Sequence, residues 1–365
     1  MRIKAATAVE KGVLEIRELE LGEPRQGEVL VKLAACGICH TDTSTLNLVV
    51  PSPLPMVLGH EGVGIVEKAG PGVQSLQPGD HVILSFPSCG NCPSCRNGKP
   101  YACDTSSELF FNGIYQSGGT RIKDDEGRDV GSLFGQGGFA DHCIVSERSA
   151  VKVDPEVDLR PLCSLACGAQ TGAGAVLNLM KPTPGDSVAV FGCGAVGMSA
   201  IMAAKLAGCS TIIGVDAVPS RLDMALECGA THVINGKECP DIAVEILRLT
   251  GGRGTNFALE SSGAAVLVPP MLNGLAKEGL AVIVSFAGDV ELNMSMIFVG
   301  SCRTLAGTVE GAAEPQTFIP KLVQFYKEGR FPVDKLAAYY PFDQIHQAFA
   351  DSASGKSIKP ILLFE

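Results

Sequence analysis

Residues 187–197 read SVAVFGCGAVG: a strand-like run, Ser187 to Phe191, and then G-x-G-x-x-G at Gly192, Gly194 and Gly197. The first glycine permits a tight turn, the second a close approach of pyrophosphate, and the third close packing of the following helix, whose N-terminus favours phosphate charge. An apolar helix is expected from about Ala195 to Ala207. Gly192, Gly194, Ala195, Val196 and Gly197 are therefore the candidate pyrophosphate-binding turn. Asp216 ends the next apolar run, TIIGVD, 19 residues after Gly197. Its carboxylate can accept from adenosine ribose hydroxyls and would repel a 2′-phosphate, which favours NAD over NADP. Capping of the following helix is the alternative role for this acid.

Working outward, strand and helix alternate: SRLDMALECGA, HVIN, DIAVEILRLTG, FALESS, LAVIVSF and TLAGTV follow in turn. Such alternation implies an α/β unit with a doubly wound parallel sheet. Beyond about Glu310 come two helices, PQTFIPKLVQFYKEG and FDQIHQAFADSAS, and a last strand, SIKPILLFE. The uncharged run from Ser187 to Ala204 approaches the length of a membrane span, but its glycines break it into strand, turn and helix. No membrane segment is expected.

Upstream, residues 1 to about 85 alternate short apolar and polar runs with Gly and Pro punctuation, as in EVLVKLAACGIC and GVGIVEKAG, which reads as a β-rich unit. At 365 residues, two domains are expected, and 46 % apolar with 19 % charged residues suits compact cores. A net charge of −10 without a basic stripe argues against nucleic-acid binding. The N-terminus carries charges where a secretory signal needs an apolar core, so a cytoplasmic location is expected.

Fourteen cysteines in a chain of this size point to metal ligation and burial rather than a disulfide scaffold. Residues 86 to about 140 are glycine-rich and weakly periodic, and within them Cys89, Cys92, Cys95 and Cys103 follow Cys-x-x-Cys-x-x-Cys-x7-Cys. Four thiolates in one short loop can close a tetrahedral shell around a structural zinc; an iron–sulfur cluster is the rival for the same ligands.

Three further segments, CGICHTD at Cys39, LGHEGVGIVEKAG at His60 and ACGAQTGAG at Cys167, stand in order with the cysteine lobe and GCGAVG. Together they resemble the zinc-containing alcohol dehydrogenases of the medium-chain dehydrogenase/reductase superfamily, nearly end to end, and look closest to bacterial benzyl (aryl) alcohol dehydrogenases. The resemblance implies a GroES-like catalytic domain at 1–169 and 310–365, with a structural zinc lobe at about 86–104, around a Rossmann NAD-binding domain at 170–309. It implies that Cys39, His60 and Cys167 hold a catalytic zinc, that Glu61 can approach the metal, and that Asp42 accepts the other ring proton of His60, fixing its tautomer. Thr41 corresponds to the hydroxyl that begins the proton relay; Ser44 stands where many members have the histidine that ends it.

The same resemblance places His40 and Lys359 as cations facing the pyrophosphate, Arg221 near the adenosine ribose, and Thr171 and Val284 against the nicotinamide. Ser85 and Phe286 fall near the substrate channel. The implied activity is oxidation of a primary alcohol, aryl, benzylic or allylic, with hydride transfer to NAD, in a homodimer or homotetramer with two zincs per chain. A geraniol-type terpenoid or an aliphatic alcohol is the alternative substrate, and an NAD-binding sensor without turnover the alternative class.

Overall fold

The computed structural model describes residues 1–364. Two compact units divide the chain: Met1–Cys167 with Glu314–Lys327 and Val333–Glu365, and Gly168–Ala313 with Glu328–Pro332.

The first unit contains a closed five-stranded barrel and a seven-stranded sheet. Arg2–Glu10 and Val13–Leu21 form the barrel's long hairpin, and Met56–Val57, Ile122–Lys123 and Asp129–Ser132 complete it. In the larger sheet, Glu28–Gly37 is central, buried along most of its length and lying between Glu61–Ala69 and Lys359–Leu363, both antiparallel to it. Its register sets the chemistry: Gly37 lies opposite Glu61 on one side and opposite Ile361 on the other. The chain leaving this strand at Cys39 therefore emerges between His60–Glu61 and Lys359.

In the second unit, β1 (Ser187–Phe191), β2 (Thr211–Asp216), β3 (His232–Asn235), β4 (Thr255–Glu260), β5 (Leu275–Ile283) and β6 (Thr304–Gly307) form one parallel sheet in the order 3-2-1-4-5-6. This is the doubly wound dinucleotide-binding order, with its crevice at the carboxyl ends of the strands. The helices are α1 (Gly168–Gly174), α2 (Ala195–Leu206), α3 (Pro219–Cys228), α4 (Ile242–Leu249) and α5 (Val268–Asn273). The uncharged run resolves into β1 and α2, both largely buried, and among the described residues no single helix is long and apolar enough to cross a membrane.

Two features of the first unit differ from the sequence reading. Ala337–Pro341 is a strand paired in parallel with Lys359–Leu363, although AAYYP has no clear alternation. Within the weakly periodic 86–140 region, Ser106–Phe111 forms a helix that buries Leu109 and Phe110, too short to show a 3.6-residue pattern.

Candidate active site

Cys39, His60, Glu61 and Cys167 each present a ligand atom within 4.8 Å of the others. His60 follows Gly59, whose φ of +92° and position against Phe139, 2.4 Å from where a Cβ would stand, admit no side chain. The His60 ring is buried: Nδ1 lies 3.1 Å from Asp42 Oδ1, while Nε2 has no hydrogen-bond partner. A buried ring nitrogen without a partner is costly unless something outside the protein atoms satisfies it. Asp42 accepts from the Cys39 N–H at 2.9 Å and the Gly59 N–H at 3.0 Å, so one carboxylate ties both ligand-bearing segments to the His60 ring. Thr41 Oγ1 lies 3.8 Å from Cys39 Sγ.

The electrostatics suit a cation. A hydrogen bond from Cys167 holds the Cys39 thiol well below its ordinary value despite burial, with His60 adding to the effect. Burial opposes a positive His60, yet Asp42 and Cys39 outweigh it and raise the ring's pKa well above normal. The negative surroundings that hold a proton there would hold a metal ion in its place. Burial pushes Glu61 up to about 7, against the pull of Lys359. Lys359 donates to both Glu61 oxygens at 2.7 and 2.9 Å and to the Ile38 carbonyl at 3.1 Å. The side chain expected to face pyrophosphate is thus buried on Glu61, with its three donors engaged.

The second cluster is the cysteine lobe. All four thiols lie within 4.8 Å of one another, Cys89 and Cys95 at 3.9 Å. A tetrahedron with metal–sulfur bonds of roughly 2.3 Å has edges of roughly 3.8 Å. Cys89 is lowered by the Asn91 and Cys92 N–H groups against burial, and Cys92 by those of Asp104 and Cys95. Cys103 is likewise lowered by the Cys89 N–H against burial, whereas burial and neighbouring Cys92 push Cys95 up to about 12. Four thiolates this close require a cation, and none of the fourteen cysteines is in a disulfide.

In the second unit, Gly192 has φ +91° and meets Ser262 within 2.9 Å of a would-be Cβ; one at Gly197 would stand 1.8 Å from the Gly192 carbonyl oxygen. These two glycines are required by the fold. Gly194, the N-cap of α2, has no atom within 4 Å of its would-be Cβ. That open cradle at a helix N-terminus fits close approach of a pyrophosphate.

Residues 25–155 match the alcohol dehydrogenase GroES-like domain family and residues 195–328 the zinc-binding dehydrogenase family. The chain belongs to the zinc-dependent alcohol dehydrogenases of the medium-chain superfamily. It is 37 % identical to geraniol dehydrogenase of Castellaniella defragrans over 97 % of this chain and 95 % of that one. The crystal structure of benzyl alcohol dehydrogenase from Acinetobacter calcoaceticus superposes with a TM-score of 0.95 at 40 % identity, covering all of both chains. That of an alcohol dehydrogenase zinc-binding domain protein from Burkholderia ambifaria gives 0.96 at 44 %, covering 100 % of this chain and 99 % of the other. Zinc and NAD are the cofactors of this alcohol dehydrogenase family, and both metal clusters and the glycine turn have the chemistry to receive them.

The other expected site residues of this alcohol dehydrogenase fall as follows. Asp216 Oδ2 accepts from the Cys193 N–H at 2.7 Å, inside the glycine turn, and Oδ1 accepts from the Ala217 and Val218 N–H groups at 2.7 and 2.9 Å. It builds the turn before α3 as well as ending β2, with Arg221 3.9 Å away. Replacing Asp216 by Gly is expected to shift the NADP-to-NAD ratio of kcat/KM upward by about tenfold or more, because a repelling charge is lost. No relative gain in NADP use would remove Asp216 from ribose recognition. Thr171 is buried and donates to Glu310 at 3.4 Å; the Val284 N–H donates to the Glu260 carbonyl at 3.1 Å. His40 is exposed. Ser85 is fully buried, with its hydroxyl donating to the Ala166 carbonyl at 3.1 Å, and Phe286 is 69 % exposed.

Sequence reasoning missed an aromatic group beside His60. Phe134 stacks on the imidazole at 4.7 Å between centroids, Phe110 stacks on Phe134 at 4.3 Å, and Phe86 and Phe111 stand edge-on to Phe110. The paired phenylalanines of ELFF were the available signal, but nothing local ties them to a histidine 50 positions upstream of Phe110.

Proposed function

We propose that this alcohol dehydrogenase oxidises a primary aryl or benzylic alcohol to the aldehyde with hydride transfer to NAD, with Cys39, His60 and Cys167 as catalytic zinc ligands. The observation that carries the reaction is the buried, unpartnered His60 Nε2 amid two cysteines and a carboxylate. The largely buried aromatic cluster of Phe134, Phe110, Phe86 and Phe111, which stacks on the His60 ring, supports an aryl substrate, since offset and edge-on ring contacts add to apolar burial. Allylic alcohols share the planar, activated carbinol carbon. The geraniol dehydrogenase relative favours a terpenoid alcohol as the second reading.

Zinc bound at this site supplies Lewis acidity, lowering the pKa of the alcohol and, in reverse, polarising the aldehyde. Asp42 holds the Nδ1–H of His60 and so fixes the tautomer that leaves Nε2 free to ligate. Thr41 would bond the substrate oxygen and begin the relay of its proton through the cofactor ribose; with Ser44 where many members have a histidine, water is the terminal acceptor. Gly194 admits the pyrophosphate, Asp216 the adenosine ribose, and Thr171 and Val284 flank the nicotinamide.

We read the protein as cytoplasmic and homo-oligomeric. Supporting association, β6 ends the parallel sheet as an edge strand, and Met294, Met296 and Val299 before it are 62–79 % exposed. A steady-state panel of benzyl, cinnamyl, terpenoid and aliphatic primary alcohols with NAD tests the substrate reading. Benzyl alcohol is expected to exceed a linear alcohol of similar size by about tenfold or more in kcat/KM. A higher value for geraniol than for any aryl alcohol would move the assignment to the terpenoid class.

A further inference from the structure

Glu310 lies just beyond the carboxyl end of β6, and it is 5 % exposed. It begins a run of three left-handed residues, with φ of 50° at Glu310, 65° at Gly311 and 51° at Ala312, of which only the middle one is glycine. Side-chain-bearing residues persist in that conformation where their surroundings hold them, and such places cluster at ligand sites. Here the holding is visible. A Cβ at Gly311 would stand 2.5 Å from the Gln170 carbonyl oxygen and 2.6 Å from that of Thr171; one at Gly174 would stand 2.2 Å from the Gly311 carbonyl oxygen. The loop and α1 are thus pressed backbone to backbone.

Into this contact Glu310 points its carboxylate: Oε2 accepts from Gln170 Nε2 at 3.0 Å and from Thr171 Oγ1 at 3.4 Å. Two hydrogen bonds thus converge on one carboxylate oxygen. α1 is locked in turn to the glycine turn, because a Cβ at Gly172 would stand 1.9 Å from the Val196 carbonyl oxygen. Glu310, α1 and the start of α2 form one connected block around the crevice.

The sheet order says which end of a dinucleotide lies over this block. Each half of a 3-2-1-4-5-6 sheet receives one mononucleotide. Asp216, ending β2, marks the adenosine half, so the β4–β6 half, to which Glu310 belongs, receives the nicotinamide. The oxidised nicotinamide ring carries a positive charge and the reduced ring none, so a fixed negative charge nearby discriminates between them.

We propose that Glu310 is a positioning residue for the nicotinamide end of the crevice, holding Thr171 in place and, by its negative charge, favouring the oxidised cofactor over the reduced one. This rests on the NAD-linked dehydrogenase reading above. The test is the ratio of dissociation constants for NAD and NADH in wild type, Glu310→Gln and Glu310→Asp. NADH is followed by its own fluorescence, in a chain without tryptophan, and NAD by competition. Glu310→Gln, which keeps an acceptor for Gln170 and Thr171 but no charge, is expected to weaken NAD about tenfold relative to NADH, as loss of a nearby charge at an effective dielectric of about 20 implies. Glu310→Asp, which keeps the charge, is expected to stay within about twofold of the wild-type ratio. A Gln variant with an unchanged ratio, or a Gln and an Asp variant shifted alike, would overturn the electrostatic role. Wild-type protein that binds neither form would instead overturn the dehydrogenase reading beneath it.

Discussion

Replacing Cys39 by Ser is expected to lower alcohol turnover by at least about a thousandfold, the scale of several kcal/mol of Lewis-acid stabilisation, while NAD binding stays near the wild-type level. The two outcomes separate because the groups sit on different compact units: Cys39, His60, Glu61 and Cys167 on the first, and Gly192, Gly194, Gly197 and Asp216 on the second. Serine keeps the shape of the side chain, but its hydroxyl is a poorer zinc ligand than the Cys39 thiol, whose pKa the Cys167 hydrogen bond and His60 hold well below its ordinary value. The metal would lose a ligand and the fold almost nothing. Steady-state kinetics with a benzylic alcohol, alongside NADH fluorescence titration, reads both quantities. A kcat within tenfold of wild type would remove Cys39 from the reaction, and a parallel loss of cofactor affinity would reassign it to structure.

The second large effect belongs to the cysteine lobe. Between Ser88 and Asp104 the chain makes only a four-residue helix, Pro93–Arg96, and a single turn, Pro100–Ala102. Beyond its short backbone turns, its sulfurs tie it together: the Cys89, Asn91, Cys92 and Cys95 N–H groups each donate to a thiol of the set, at 3.3–3.5 Å. A loop so poor in apolar burial takes its stability from the metal. Cys95→Ala or Cys103→Ala is therefore expected to lose one zinc per chain and to lower Tm by roughly 10 °C or more, with new proteolytic cleavage inside 86–104. Calorimetry, metal analysis and limited trypsinolysis check these together; a Tm within about 2 °C of wild type would show that the lobe stands without its metal.

How much of this was legible beforehand depends on the range over which each signal acts. The parallel sheet could be read because every strand from β1 to β6 is flanked by its own turn residues, and a regular alternation of strand and helix leaves few topologies. The strands Met56–Val57 and Ile122–Lys123 could not, since two residues carry no period and exist through their barrel partners. Likewise the four lobe cysteines declare themselves through local spacing, whereas Cys39, His60 and Cys167 were joined only through the family resemblance of their flanking motifs. What brings Cys39 to His60 is a long-range register, Gly37 opposite Glu61, and no local pattern encodes it.

The same limit explains Lys359 and Glu310. The likeness of Lys359 to a phosphate-facing arginine of the family is legible in the sequence, and its pairing with Glu61 is not. The pairing of Ile361 with Gly37 sets it beside Glu61, where burial favours an ion pair with complete hydrogen bonding. Glu310 stood in the sequence as one acid near a domain boundary. Its burial and left-handed backbone follow from the glycine contacts at Gly311 and Gly174, which exist only once the chain has folded.

Zinc dependence of turnover is the central claim, and stepwise return of zinc to metal-free protein tests it most directly. With NADH formation from benzyl alcohol followed at 340 nm, chelated and dialysed enzyme is expected to be inactive. Activity should return as zinc is added and reach its maximum at about two equivalents per chain, the capacity of the two clusters. Full turnover in protein that retains less than about one zinc per chain would contradict the account.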